Sequence, residues 1–179
     1  MMVIEIDKQI TLELIAQKHA SELYELANKN RSYLREWISW IDYMNGPEFF
    51  EKFIRNCRTK IKDGQELPFV IVYNGRIVGR IGIYKLDYSN KIGEIGYWIG
   101  EENQGKGIVS KSCGSLIEYA FNNLHLNRLE IKCGVNNMKS QQIPIKFNFQ
   151  HEGIIREGEL IRNKYNDLNL YSLLKKDWE

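Results

Sequence analysis

Fifteen residues near the middle of the chain constrain its fold most: Ile95-Gly96-Tyr97-Trp98-Ile99-Gly100-Glu101-Glu102-Asn103-Gln104-Gly105-Lys106-Gly107-Ile108-Val109. A strand-like run ends in a glycine-rich turn, and helical spacing follows at once through Ile108, Val109, Cys113, Leu116, Ile117, Ala120 and Phe121. The first amides of such a helix have no intrahelical acceptor, and the helix dipole adds positive potential there, so the arrangement suits an anion. Glycine lets backbone approach a phosphate with no Cβ in the way. The same residues admit two plainer readings. Gly105 and Gly107 could serve only to turn the chain. Gly100-x-x-x-x-Gly105-Lys106 also opens like a P-loop, although Gly107 stands where Mg²⁺ would need Ser or Thr, and Glu101 and Glu102 would face a triphosphate.

Around this stretch the periodicity changes repeatedly without a linker or repeat. Gln9 to Ile15 reads as a strand, and Gln17 to Asn30 as a helix through Ala20, Leu23, Tyr24 and Ala27. Leu34 to Trp40, dense in aromatics, reads as a second short helix. Asn45-Gly46-Pro47-Glu48 marks a helix start, with proline in the first turn and an acid at the positive end of the dipole. That helix is expected to bury Phe49, Phe50, Phe53, Ile54, Cys57 and Ile61 and to end at Gly64. Phe69 to Tyr73, Asn74-Gly75 and Arg76 to Val78 predict a hairpin with a type I′ turn. A second hairpin turns at Tyr88-Ser89-Asn90 into Ile92 to Ile99. After the central helix, Leu129 to Val135 reads as a strand and Ser140 to Phe147 as a short helix, with Asn148 in the left-handed conformation at its end. Strands at Gly153 to Leu160 and Asp167 to Leu174 close the chain. The order predicts a mixed α+β sheet in a single domain over residues 1–179, not an alternating doubly wound fold.

Composition narrows the function. A chain of 179 residues can bury a core without metal or disulfide support. Its 25 Lys and Arg against 23 acidic residues leave a net charge of +2, too balanced for the basic face that nucleic acid or a membrane surface would demand. No run approaches the roughly 18 apolar residues of a membrane span. Met1 to Asp7 lacks the basic and apolar regions of a secretion signal, so a cytoplasmic protein is expected. Cys57, Cys113 and Cys133 are odd in number, and the last two fit small buried hydrophobes. His19, His125 and His151 are isolated, so no metal site is expected.

Taken together, these motifs resemble the GNAT superfamily of acyl-CoA-dependent N-acetyltransferases. The superfamily's pyrophosphate loop, Q/R-x-x-G-x-G/A, is met at Gln104 and Gly107, while Val109 replaces the final small residue. Asn137-Met138-Lys139-Ser140 is similar to the Asn and Ser that open the helix after the fifth strand, and Asn148-Phe149 to the Gly-Phe that ends it. Leu34 to Trp40 resembles the Trp-rich early helix of the RimJ/RimL-like branch, the ribosomal-protein N-terminal serine/alanine acetyltransferases. Asn166 to Tyr171 resembles that branch's closing strand. The likeness spans nearly the whole chain.

The resemblance implies a mostly antiparallel sheet flanked by helices, in which the parallel strands Glu94 to Ile99 and Leu129 to Val135 splay apart. Acetyl-CoA, the co-substrate, would lie between them. The backbone of Tyr97, Trp98 and Ile99 would pair with its pantetheine arm and polarise the thioester. Gln104, Gly105, Lys106, Gly107, Ile108 and Val109 would hold the pyrophosphate, with Asn137 and Ser140 nearby. The resemblance also implies Glu159 as the base that takes the amine proton through water. Ser140 would be the acid for the departing thiolate, since Pro144 stands where many members carry a Tyr. Glu94, on the strand beside the thioester, is a second candidate base. The amine would attack directly, without an acyl-enzyme.

Plainer readings stand beside these. Glu159 could be a solvated strand edge and Ser140 a helix cap. Trp37 and Trp40 fit core positions or homodimer contacts better than substrate walls, and Lys106, Lys111 and Lys139 are candidates for phosphate contacts that could simply be solvated. The expected acceptor is a protein N-terminal α-amine, whose pKa of about 7.7–8.0 asks less of a base than a lysine at about 10.4. The alternatives are a small amine (a polyamine, amino sugar or amino acid) or a non-catalytic acyl-CoA-binding module.

Overall fold

The computed structural model describes residues 2–178; Met1 and Glu179 lie outside the described residues. One eight-stranded sheet runs β1 (Val3–Glu5), β2 (Ile10–Leu14), β3 (Leu67–Tyr73), β4 (Arg76–Asp87), β5 (Ile92–Ile99), β6 (Arg128–Gly134), β8 (Lys164–Leu174) and β7 (Gln150–Ile161). Asn74 and Gly75 both take positive φ, 49° and 78°, and close the β3–β4 hairpin as expected. Every pairing is antiparallel except β5 with β6. That pair is joined only at Ile92–Arg128, Gly93–Leu129 and Glu94–Glu130, after which the strands part. The expected α+β sheet with a splayed parallel pair is therefore what the chain forms.

Alternation along the strands divides the core between the two sheet faces. Phe69 and Ile71 point to the face covered by α4 (Ile108–Asn122), where Cys113, Leu116, Ile117 and Ala120 are buried. Val70 points to the other face, against α1 (Ala20–Lys29) and α3 (Pro47–Lys62), with Leu23, Ala27, Phe50 and Ile54. Gly64 ends α3 at φ 69°, the left-handed conformation its position predicts.

Some elements differ from the sequence expectation. The short edge strand β1 and the short helix Lys175–Trp178 after the last strand are not among the expected ones. The aromatic stretch Leu34 to Trp40 is not a helix: α2 (Arg31–Leu34) ends where that stretch begins, Ile38 is extended, and a 3₁₀ turn follows at Ser39–Tyr43. The Arg31 guanidinium explains the irregular path. It donates to the carbonyls of Ile41 and Met44 at 2.6 Å each and draws the segment around itself.

Candidate active site

The site opens where β5 and β6 separate. Gly100 donates its N–H to Val78 across the β4 side at 2.8 Å. Strand alternation then turns the backbone of Trp98 and Gly96 toward β4 as well, and that of Tyr97 and Ile99 toward the gap. Two of the three residues expected to meet the cofactor thus present free backbone to the cleft, whereas Trp98 has its backbone paired with Arg80. On the far wall the Gly134 carbonyl accepts from the Gln141 side chain at 3.1 Å, which also reaches the Val135 carbonyl at 2.9 Å. Tyr171 donates to the other end of that buried amide at 3.2 Å, so Gln141 fastens α5 (Met138–Lys146) to β6. Sequence reasoning missed this residue, and nothing in its context distinguishes it from Gln142.

The glycine loop forms the next wall. Gly105 and Gly107 both sit at φ 73°, with open space where a Cβ would stand. Among the described residues, the amides of Gly105, Lys106 and Gly107 donate to no protein group. Ile108, Val109 and Ser110 follow as the first amides of α4, which helical geometry also leaves free. Gln104 is fixed at the rim, donating to the Tyr33 hydroxyl and accepting from Lys139 at 2.8 Å. Lys106 turns instead to Asn103 (3.2 Å) and the Tyr73 ring, and Lys111 pairs with Asp7, so Lys139 is the lysine of the three that lines the cleft. Val109 packs against the α4-side core, which accounts for a larger residue where the family motif has a small one. Asn30 holds the loop's start, accepting from the Glu101 amide at 2.8 Å.

Asn137, not Ser140, caps α5: its side chain accepts from the Ser140 amide at 3.1 Å, which corrects the capping reading of Ser140. The Ser140 carbonyl accepts from the Tyr97 hydroxyl at 2.7 Å, and the Ser140 hydroxyl lies 3.4 Å from the same phenol oxygen. Burial raises the Tyr97 pKa well above that of a free phenol, so the group stays a donor.

Glu159 reaches the cleft through a bulge. The register jumps from Ile155–Leu168 to Glu159–Asn166, and Asp167 holds the bulged backbone by accepting from the Glu157 amide at 2.7 Å. Burial pushes the Glu159 carboxyl above its ordinary range. Glu94 behaves oppositely. Burial would raise it, but Lys132 at 2.8 Å and Lys85 at 3.0 Å outweigh that and hold it low. It does not line the cleft.

The cleft encloses about 1370 Å³. Trp37 lines it, contrary to the expectation of a core or dimer contact, while Trp40 stacks on Phe49 at 5.6 Å and belongs to the core. The three thiols are buried and free. Burial pushes Cys57 and Cys113 up to about 12 and Cys133 to about 11, so none is poised as an acyl carrier. Among the described residues no His, Cys, Asp or Glu cluster could hold a metal, and no helix is long and apolar enough to cross a membrane.

Comparison with known proteins agrees with this geometry. The chain is 36% identical over 180 residues to the putative ribosomal N-acetyltransferase YdaF of Bacillus subtilis (strain 168), covering 100% of this chain and 98% of that protein. It is 30% identical over 169 residues to the ribosomal-protein-serine acetyltransferase of Escherichia coli (strain K12), covering 94% of each. Among solved structures it superposes on the microcin C7 self immunity acetyltransferase MccE, in complex with acetyl-CoA and AMP, with a TM-score of 0.91 and 32% identity. That match covers 96% of this chain and 95% of the other. The family model of the acetyltransferase (GNAT) domain matches residues 9–150, and with the splayed strands and the glycine-turn helix in view, the chain belongs to the GNAT acetyltransferases.

Proposed function

We propose that this chain transfers the acetyl group of acetyl-CoA to the N-terminal α-amine of a ribosomal protein. The observation that carries the reading is the parting of β5 and β6 beside the unpartnered amides of Gly105 to Gly107. Those amides and the first turn of α4 take the diphosphate, and Lys139 adds a cation at the rim. The pantetheine arm runs along the free backbone of Tyr97 and Ile99, where an N–H polarises the thioester carbonyl.

The amine gives a proton to Glu159 through water and attacks the carbonyl carbon. The tetrahedral intermediate collapses by breaking the C–S bond; the leaving thiolate takes a proton from the Ser140 hydroxyl, which recovers one, through water, from the proton still carried by the acylated nitrogen, so amide and thiol both leave neutral. Glu159 suits the base better than Glu94, because burial raises its proton affinity while two lysines lower that of Glu94.

The ribosomal acceptor is supported by the names of the YdaF and ribosomal-protein-serine acetyltransferase relatives. A second reading, a small-molecule acceptor, is supported by the likeness to MccE, solved with AMP. Incubation with acetyl-CoA and peptides beginning with Ser, Ala or Met, followed by mass spectrometry, tests the proposal. Acetylation of an N-terminal amine is the expected result. Tight acetyl-CoA binding with no transfer to any peptide or small amine would reduce the chain to a binding module.

A further inference from the structure

We propose that a recess beside the thioester end of the cleft binds an anionic group, a carboxylate or a phosphate, carried by the acceptor. The identification of the bound molecule as the acceptor rests on the acetyl-transfer reading above. The recess encloses about 570 Å³ between the sheet and α3, and it shares Trp37, Trp98 and Glu159 with the main cleft. Its floor is set by strand register. Arg80 on β4 pairs with Trp98 on β5, so both side chains rise from the same face. The next pair on that face is Gly82 with Gly96, which carries no side chains and leaves room that the Tyr84 ring borders.

Arg80 is only 6% exposed, and its charge has no carboxylate partner among the described residues. The guanidinium lies 4.3 Å above the Phe53 ring, and one Nη donates to the Tyr84 hydroxyl at 3.3 Å. Its Nε is buried with no acceptor, and so is the Nε1 of Trp98. The carboxylate that lines the recess on the α3 side, Glu66, is matched by Lys60 at 3.4 Å. An unpaired buried cation and two orphaned donors therefore line one recess, and buried donors of this kind are satisfied in nearly all native proteins. The group that answers all three is an anion with several lone pairs, for which a planar guanidinium is the preferred partner. Glu159 stands where the recess meets the cleft, so an acceptor can offer its amine to that carboxylate while its anion reaches Arg80. A polyamine would instead bring positive charge against Arg80. Sequence reasoning passed over Arg80; the signal that could have found it is its place as the one charge inside the apolar run Ile77-Val78-Gly79-Arg80-Ile81.

The test titrates the CoA-saturated protein calorimetrically with peptide pairs that differ only by Asp or phosphoserine against Asn at the first, second or third position. Acetyl-transfer rates are measured on the same peptides and on spermidine. At one of those positions the acidic member should bind about tenfold or more tighter than the neutral one, since hydrogen bonds to charged groups are worth that much. The Asp and phosphoserine arms separate carboxylate from phosphate. Arg80→Gln should bring the ratio to about one, with CoA titration checking that the variant folds. Trp98→Phe, which deletes one donor and keeps an aromatic side chain, should reduce the ratio and decides the matter if Arg80→Gln does not fold. Equal affinities, an acid preference that survives both variants, or spermidine as the best acceptor would overturn the inference. Acid-selective binding without transfer would sink the acetyl-transfer reading alone, and transfer without acid selectivity would sink this one alone.

Discussion

The Tyr97 hydroxyl donates to the Ser140 carbonyl at 2.7 Å, and that carbonyl is the one Pro144 deprives of its helical donor. Proline has no N–H to offer the residue four positions back, so a strand side chain supplies the missing bond to the helix. Tyr97→Phe should therefore destabilise by about 1–3 kcal/mol, the cost of an unsatisfied buried acceptor. Pro144→Ala restores an amide at that position and should recover part of the loss in the double variant. Denaturant unfolding of the four proteins measures the coupling. Strict additivity would mean that the two residues do not act on one carbonyl.

Glu159→Gln tests the proposed base. Loss of general-base assistance costs roughly 10²–10⁴-fold in rate. The deficit should be largest between the pKa of Glu159 and the amine's own pKa of about 7.7–8.0, and shrink on either side, since a protonated Glu159 accepts no proton. Because burial raises the Glu159 carboxyl, the wild-type rate should begin to climb at a higher pH than an ordinary carboxylate would give. A wild-type rate in the variant across the whole range would remove Glu159 from the mechanism.

The same shift has a sign in stability. Glu159 is raised in the folded state, so folding favours its protonated form. The penalty is absent below the unfolded pKa, grows as pH rises through the folded value, and is complete above it. Glu159→Gln should thus unfold at higher denaturant than wild type at neutral pH, and at about the same concentration in acid. A variant less stable at neutral pH would show that the carboxylate has a favourable partner.

Gly107→Ala separates strain from binding. At φ 73° an alanine costs about 1–2 kcal/mol, yet no protein atom lies within 4 Å of the added carbon. Stability should fall by that amount, whereas affinity for CoA, measured by calorimetry, should fall further because the methyl enters the space facing the free amides. Unchanged affinity would place the diphosphate elsewhere.

Glu94→Gln should lower stability by about 1–2 kcal/mol, since it weakens charged hydrogen bonds to Lys132 and Lys85. The shape of its pH–rate profile should match wild type. Loss of the limb at low pH would transfer the base role from Glu159 to Glu94.

Most of the sheet was legible because its signals are local. The Asn74-Gly75 turn, the Pro47 helix start and the left-handed Gly64 are each set by backbone sterics of one or two residues. The glycine loop was legible for the same reason. The path from Leu34 to Trp40 was not, because Arg31 dictates it by reaching the Ile41 and Met44 carbonyls, ten and thirteen residues away. The partner of Ser140 was equally hidden: Tyr97 lies 43 residues earlier, and only the placing of β5 beside β6 in the sheet brings them together.

Among the described residues, the strand pairing between the first five strands and the last three consists of three residue pairs, Ile92–Arg128, Gly93–Leu129 and Glu94–Glu130. A seam so short sets the angle at which β5 and β6 diverge. A slight rotation there is magnified along the diverging strands, so the mouth of the cleft moves further than its base. Substitutions at the seam should therefore be felt as altered grip on the acyl carrier, because they set the angle at which the two strands diverge.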